Sequence, residues 1–164
     1  MSPDGRIVII GIDGVPYRLM RNFSDRGVMP NFKKLRKEGV FTKMSSSIPE
    51  ISSVSWSSII TGKNPGEHGV YGFTDSVEGT YTLSFHHSKN LKAPPFWQKD
   101  ESKKFVIINV PSTYPAQKIN GVLISGFVSP DLEKAVYPPS YLDKLKSLNY
   151  KIDIDSEKGH KSKR

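Results

Sequence analysis

Hydroxyl side chains crowd the stretch Ser45 to Phe73, SSSIPEISSVSWSSIITGKNPGEHGVYGF. Ser52, Ser53 and Ser55 stand at the head of an apolar run through Trp56, Ile59 and Ile60, and Thr61-Gly62 closes that run. A hydroxyl at a helix start can cap the free backbone amides. It can also be held there as a nucleophile facing an anion that the same amides bind. Taken alone, the string reads as a serine-capped helix. Asp13 raises the second reading, because it ends the apolar segment Arg6 to Ile12 and precedes Gly14. Ligands of open α/β sheets bind beyond the carboxyl ends of the strands, which is where this carboxylate falls. The competing reading of Asp13 is a turn residue before glycine. His68 beside Gly69 reads as a hydrogen-bonding or structural histidine rather than a ligand. His86 and His87 are adjacent, so in a strand they point to opposite faces and chelate poorly together.

The elements that must position these residues follow from pattern and punctuation. Arg6 to Ile12 is continuously apolar and rich in β-branched residues, which predicts a buried strand. Tyr17 to Arg26 and Asn31 to Glu38 predict helices, stopped by Gly27 and Gly39, and Val40 to Met44 predicts a short strand. Pro49 keeps Ser45 to Glu50 a loop, and a helix begins at Ser52 or Ser53 and ends at Gly62. Lys63 to Gly69 is expected to be irregular. A hairpin is expected within Tyr71 to Ser88, and a short helix after Pro94-Pro95. Phe105 to Val110 predicts a second buried strand leading into the turn Pro111 to Pro115, and Gly121 to Ser125 a third. A helix over Pro138 to Leu148 and a strand over Tyr150 to Ile154 complete the order. Apolar strands separated by helices call for a three-layer α/β sandwich with a mostly parallel central sheet.

Composition narrows the classes. At 164 residues the chain fits one ordinary domain, and without cysteine it holds neither a disulfide framework nor a thiolate metal site. The net charge of +8 is scattered: Lys33, Lys34, Arg36 and Lys37 share one helix, and Lys158 to Arg164 form a basic tail. Neither a focused basic stripe nor a nucleic-acid module is present, so no specific nucleic acid is expected. The apolar runs fall far short of the roughly 20 residues that span a bilayer, and the start lacks a signal-peptide layout. A cytoplasmic protein with no membrane partner is the expectation.

The residues Ile9-Ile10-Gly11-Ile12-Asp13-Gly14, then Met29-Pro30-Asn31 with Leu35 and Gly39, then Ser45 to Phe73, resemble the type I phosphodiesterase and nucleotide pyrophosphatase branch of the alkaline phosphatase superfamily. More narrowly they resemble its predicted phosphohydrolase or phosphomutase group. The resemblance continues through Asn109-Val110-Pro111, Thr113-Tyr114-Pro115 and Ile119-Asn120-Gly121 to Ser125-Gly126-Phe127. It implies hydrolysis of phosphoric mono- or diesters, with a small phosphoester as substrate. It makes Asp13 a metal ligand and places the nucleophile nine positions before Thr61, at Ser52, with Ser53 the adjacent alternative. Ser55 matches a position that helps hold a phosphoryl oxygen in related enzymes. Two divalent ions about 4 Å apart, zinc or else manganese or magnesium, would activate the hydroxyl and hold the attacking and leaving oxygens. The product of the first step would be a phosphoseryl intermediate, released by water or, in a phosphomutase, passed to another hydroxyl.

Members of this family are usually more than twice as long, and their remaining ligands come from the later half. His86, His87 and His160 have no family motif around them, and Asp131, Asp153 and Asp155 lack the Asp-His pairing of the second metal cluster. The expectation is therefore an incomplete alkaline phosphatase-like domain. Residues 1–154 form its N-terminal portion and residues 155–164 a flexible tail or truncation point. Alone it would bind metal weakly or not at all, be inactive or nearly so, and self-associate through uncovered surface. A non-catalytic binding or structural protein that keeps the fold is the competing class.

Overall fold

The computed structural model describes residues 5–77 and 79–152. Asp153, Asp155, His160, the end of the expected strand at Tyr150 to Ile154 and the tail lie outside the described residues. The chain divides into two compact units, Met1–Ser45 and Ser46–Arg164.

In the first unit Tyr17–Asp25 (α1) and Pro30–Glu38 (α2) form as the pattern predicts, with proline at the start of α2 and Gly39 closing it through its amide to the Leu35 carbonyl. Tyr17 stacks on Phe41 at 4.5 Å between ring centroids, and Phe32 meets the same ring edge-on. Arg36 bonds to Ser24 and Asp25, which ties α2 to α1. The strands expected at Arg6 to Ile12 and Val40 to Met44 are absent among the described residues. A strand exists only with a neighbour to share its ladder, and neither segment has one in the described chain; Ile7 to Ile10 are exposed.

The second unit holds the core. Ser52–Thr61 (α3) is followed by a single helical turn, Pro65–His68 (α4). That turn was expected to be irregular. Asn64 and Glu67 cap it reciprocally and proline occupies its first turn, so start signals are packed into four residues. Thr74–Ser76 (β1) and Leu83–Phe85 (β2) pair antiparallel as the expected hairpin. Phe96–Gln98 forms only a short 3-10 turn. Phe105–Val110 (β3), Gly121–Ser125 (β4) and Val136–Tyr137 (β5) make a three-stranded sheet, parallel between β3 and β4 and antiparallel between β4 and β5. Pro139–Tyr141 is 3-10 and leads into Leu142–Ser147 (α5). The architecture is mixed α/β with small sheets.

Side chains alternate along β4, so its two faces meet different neighbours. Leu123 packs with Ile60 of α3, Trp97, Ile107 and Ile119. Ile124 packs with Val136 and with Leu145 of α5. Of the residues in β3, only Ile107 is buried, in the Leu123 cluster, while Val106 and Ile108 on the opposite face are exposed.

Candidate active site

The head of α3 is built by the loop before it. Ser47 Oγ donates to the Pro49 carbonyl at 3.1 Å, which spends its one proton, so the 2.8 Å contact with Ser55 Oγ is donated by Ser55. Ser46 Oγ lies 3.4 Å from Ser55 Oγ, a longer contact. Ser55 thus staples loop to helix. Ser53 is 4% exposed and donates its hydroxyl to the Gly72 carbonyl at 2.7 Å. Ser52 is half-buried, and among the described residues its hydroxyl has no hydrogen-bond partner.

Ile51 occupies the N-cap position and offers no side-chain acceptor. The first amide of α3 to find a helical acceptor is that of Ser55, which reaches the Ile51 carbonyl at 2.9 Å. The amides of Ser52, Ser53 and Val54 come before it and are the donors that every helix start leaves open. Three such donors and a partial positive charge are the features by which a helix start can attract an anion. At the far end Gly62, at φ 67°, takes the left-handed conformation that closes the helix.

His68 holds α3 from the side. It is fully buried, and its Nδ1 accepts the Val70 amide at 3.1 Å. The proton therefore sits on Nε2, which faces Ser58 Oγ at 3.0 Å. Burial lowers the pKa of this imidazole, against the weaker upward pull of Glu67, and keeps it neutral. The structural reading of His68 fits this geometry. His86 is also lowered by burial, with Asp75 opposing, and its amide bonds to the Phe73 carbonyl at 3.1 Å.

A second group of residues meets at the carboxyl ends of β3 and β4. Asn109 and Ser112 have φ of 58° and 63°, sparsely populated values for residues with a Cβ. The β3–β4 register shifts between Ile108 and Val110, so Asn109 is a bulge residue. A Cβ on Gly126 would lie 2.6 Å from the carbonyl carbon and oxygen of Asn109, so only glycine fits beneath that bulge. Thr113 Oγ1 donates to the Val110 carbonyl at 2.6 Å, and Ser112 donates its amide to the Phe127 carbonyl at 3.2 Å. The sequence marks this region only as a turn; an asparagine just before Val-Pro at a strand end is the signal that points to the bulge.

Asp13 belongs to the first unit. It is exposed, and its Oδ1 accepts the Gly14 amide at 2.9 Å, the turn geometry expected before a glycine. Among the described residues no three His, Asp or Glu side chains gather where a metal ion could be held. One carboxylate does not fill a zinc shell, so the described residues do not by themselves make up the metal centre that the family resemblance implies.

The sequence model of the type I phosphodiesterase / nucleotide pyrophosphatase family matches residues 7–164, and the chain belongs to that family. No curated protein and no solved structure matches it. Among the described residues no helix is long and apolar enough to cross a membrane.

Proposed function

We propose that this chain carries the nucleophile and the phosphate cradle of a phosphoric ester hydrolase, with Ser52 as nucleophile. The observation that carries the reading is the difference between three neighbouring hydroxyls. Ser53 is committed to Gly72 and Ser55 to Ser47, while Ser52 stands uncommitted at the head of α3 beside three open amides. In the proposed step Ser52 Oγ forms a bond to phosphorus as the ester P–O bond breaks, and the leaving alcohol takes up the proton that the hydroxyl gives up. The amides of Ser52, Ser53 and Val54 receive the phosphoryl oxygens. Water then displaces the serine oxygen and releases the phosphate.

Asp13 is proposed as one ligand of a divalent metal pair, zinc or else manganese or magnesium, with the remaining ligands supplied from outside the described residues. On this reading the 164-residue chain alone turns over substrate slowly or not at all, and it acts in the cytoplasm on a small phosphoester. The packing of α3 and α5 on opposite sides of β4 supports a three-layer sandwich for the complete domain.

The test is an assay of a phosphomonoester and a phosphodiester by the active enzyme that contains this sequence, with and without chelator. Ser52→Ala should lower kcat by about a thousandfold or more while Ser53→Ala keeps turnover. Transfer of the phosphoryl group to a second alcohol in place of water would make the enzyme a phosphomutase. A Ser52→Ala variant with undiminished turnover would remove the reading.

A further inference from the structure

The segment from His68 to Gly72 is tied to α3 at both of its ends. At one end Nε2 of His68 donates to Ser58 Oγ at 3.0 Å, and at the other the Gly72 carbonyl accepts from Ser53 Oγ at 2.7 Å. Along the helix axis the residues Ser53 and Ser58 lie about 7.5 Å apart. Between the ties Val70 is buried, and its amide donates back to Nδ1 of the same imidazole at 3.1 Å. The His68 carbonyl accepts the Lys92 amide at 3.0 Å, which fixes this end from outside the segment as well. A neutral imidazole carries one donor and one acceptor on a rigid ring. Both are spent here, the acceptor on shaping the segment and the donor on fastening it to α3.

The Gly72 carbonyl is what occupies Ser53, and it stands at the far end of the segment that His68 shapes. With that carbonyl withdrawn, the Ser53 hydroxyl is free to rotate about its Cα–Cβ bond toward the open amides that Ser52 adjoins. We infer that His68 is a positioning residue that selects the nucleophile: by holding the Gly72 carbonyl against Ser53 it keeps that hydroxyl occupied and leaves Ser52 available to phosphorus. The inference rests on the proposed role of Ser52 and adds to it the device by which one of two adjacent serines is chosen. Reaction at a released Ser53 would keep the same balance. Its Oγ bonds to phosphorus, the ester P–O bond breaks, and the leaving alcohol takes the hydroxyl proton.

One measurement needs no turnover. In the 164-residue chain, the nuclear Overhauser contact between the Ser53 β-protons and the Gly72 α-protons reports the tie at the head of α3. It should persist in Ser58→Thr, which keeps the hydroxyl, and weaken or vanish in Ser58→Ala and His68→Leu while contacts between Ile60 and Leu123 in the core remain. Ser58→Ala decides the matter if His68→Leu fails to fold. The second measurement uses the active, metal-supplemented enzyme that contains this sequence, acid-quenched during turnover and mapped by peptide mass spectrometry. In Ser58→Ala and His68→Leu the ratio of phosphate on Ser53 to phosphate on Ser52 should rise about fivefold, the worth of one hydrogen bond. A merely structural role would lower the yield of phosphoenzyme and leave that ratio unmoved. An unchanged Ser53–Gly72 contact in both variants, or phosphate confined to Ser52 once the contact is lost, overturns the inference and leaves Ser52 as nucleophile. Phosphate on Ser53 in the unsubstituted enzyme overturns the role of Ser52, and the selection by His68 with it.

Discussion

Ser52 and Ser53 are chemically identical and adjacent, and the family spacing that favours Ser52 leaves Ser53 beside it as the alternative. What distinguishes them is a carbonyl 19 positions away, Gly72, which the fold brings to Ser53 alone. The two residues should therefore fail differently. Ser53→Ala removes the hydroxyl partner of the half-buried Gly72 carbonyl and should cost about 1–2 kcal/mol in denaturant unfolding. Ser52→Ala removes a hydroxyl without a partner among the described residues and should shift stability by less than about 0.5 kcal/mol. Gly126 makes a similar point about backbone. Its Cβ position is already filled by the Asn109 carbonyl, so Gly126→Ala should cost about 1–3 kcal/mol or more in the same measurement. Glycine after a strand is visible in the sequence, but the carbonyl that excludes every other residue is not.

At the level of elements, helix limits were the most legible part of the chain. Gly62 and Gly39 mark helix ends by local chemistry, and both ends fall where that chemistry predicts. Strands were less legible because they depend on partners. Arg6 to Ile12 has the composition of a buried strand, yet the described residues give it no ladder. The joint between α3 and α4 depends on a neutral His68, and that gives it a pH dependence. The folded-state pKa lies below the ordinary value of 6.5, so the unfolded chain binds the proton more readily. Stability is complete above about pH 6.5 and falls as pH drops from there toward the folded-state pKa. His86 is shifted in the same direction and adds to the loss. Melting temperatures followed from pH 7.5 to 5 should show this decline, and His68→Gln should lower stability at neutral pH while flattening the decline without abolishing it.

Considered as a whole, the molecule concentrates its core in one of its two units. Among the described residues the two clusters of buried apolar side chains, around Leu123 and around Ile124, are built from residues after Ser46. A polypeptide of residues 46–164 should therefore still unfold cooperatively in a circular dichroism melt. Ser52 and the open amides at the head of α3 belong to this unit, whereas Asp13 belongs to the other. Family membership was legible from the order of motifs between Ile9 and Phe127. The arrangement of hydroxyls at α3 was not, because it is set by contacts rather than by spacing. The proposed chemistry turns on which of those hydroxyls takes the phosphoryl group. Acid quenching of the active, metal-supplemented enzyme during turnover, followed by peptide mass spectrometry, measures it directly. Phosphate found on Ser52 is the predicted result; phosphate on Ser53, or steady turnover with no phosphoserine in α3, would contradict the account.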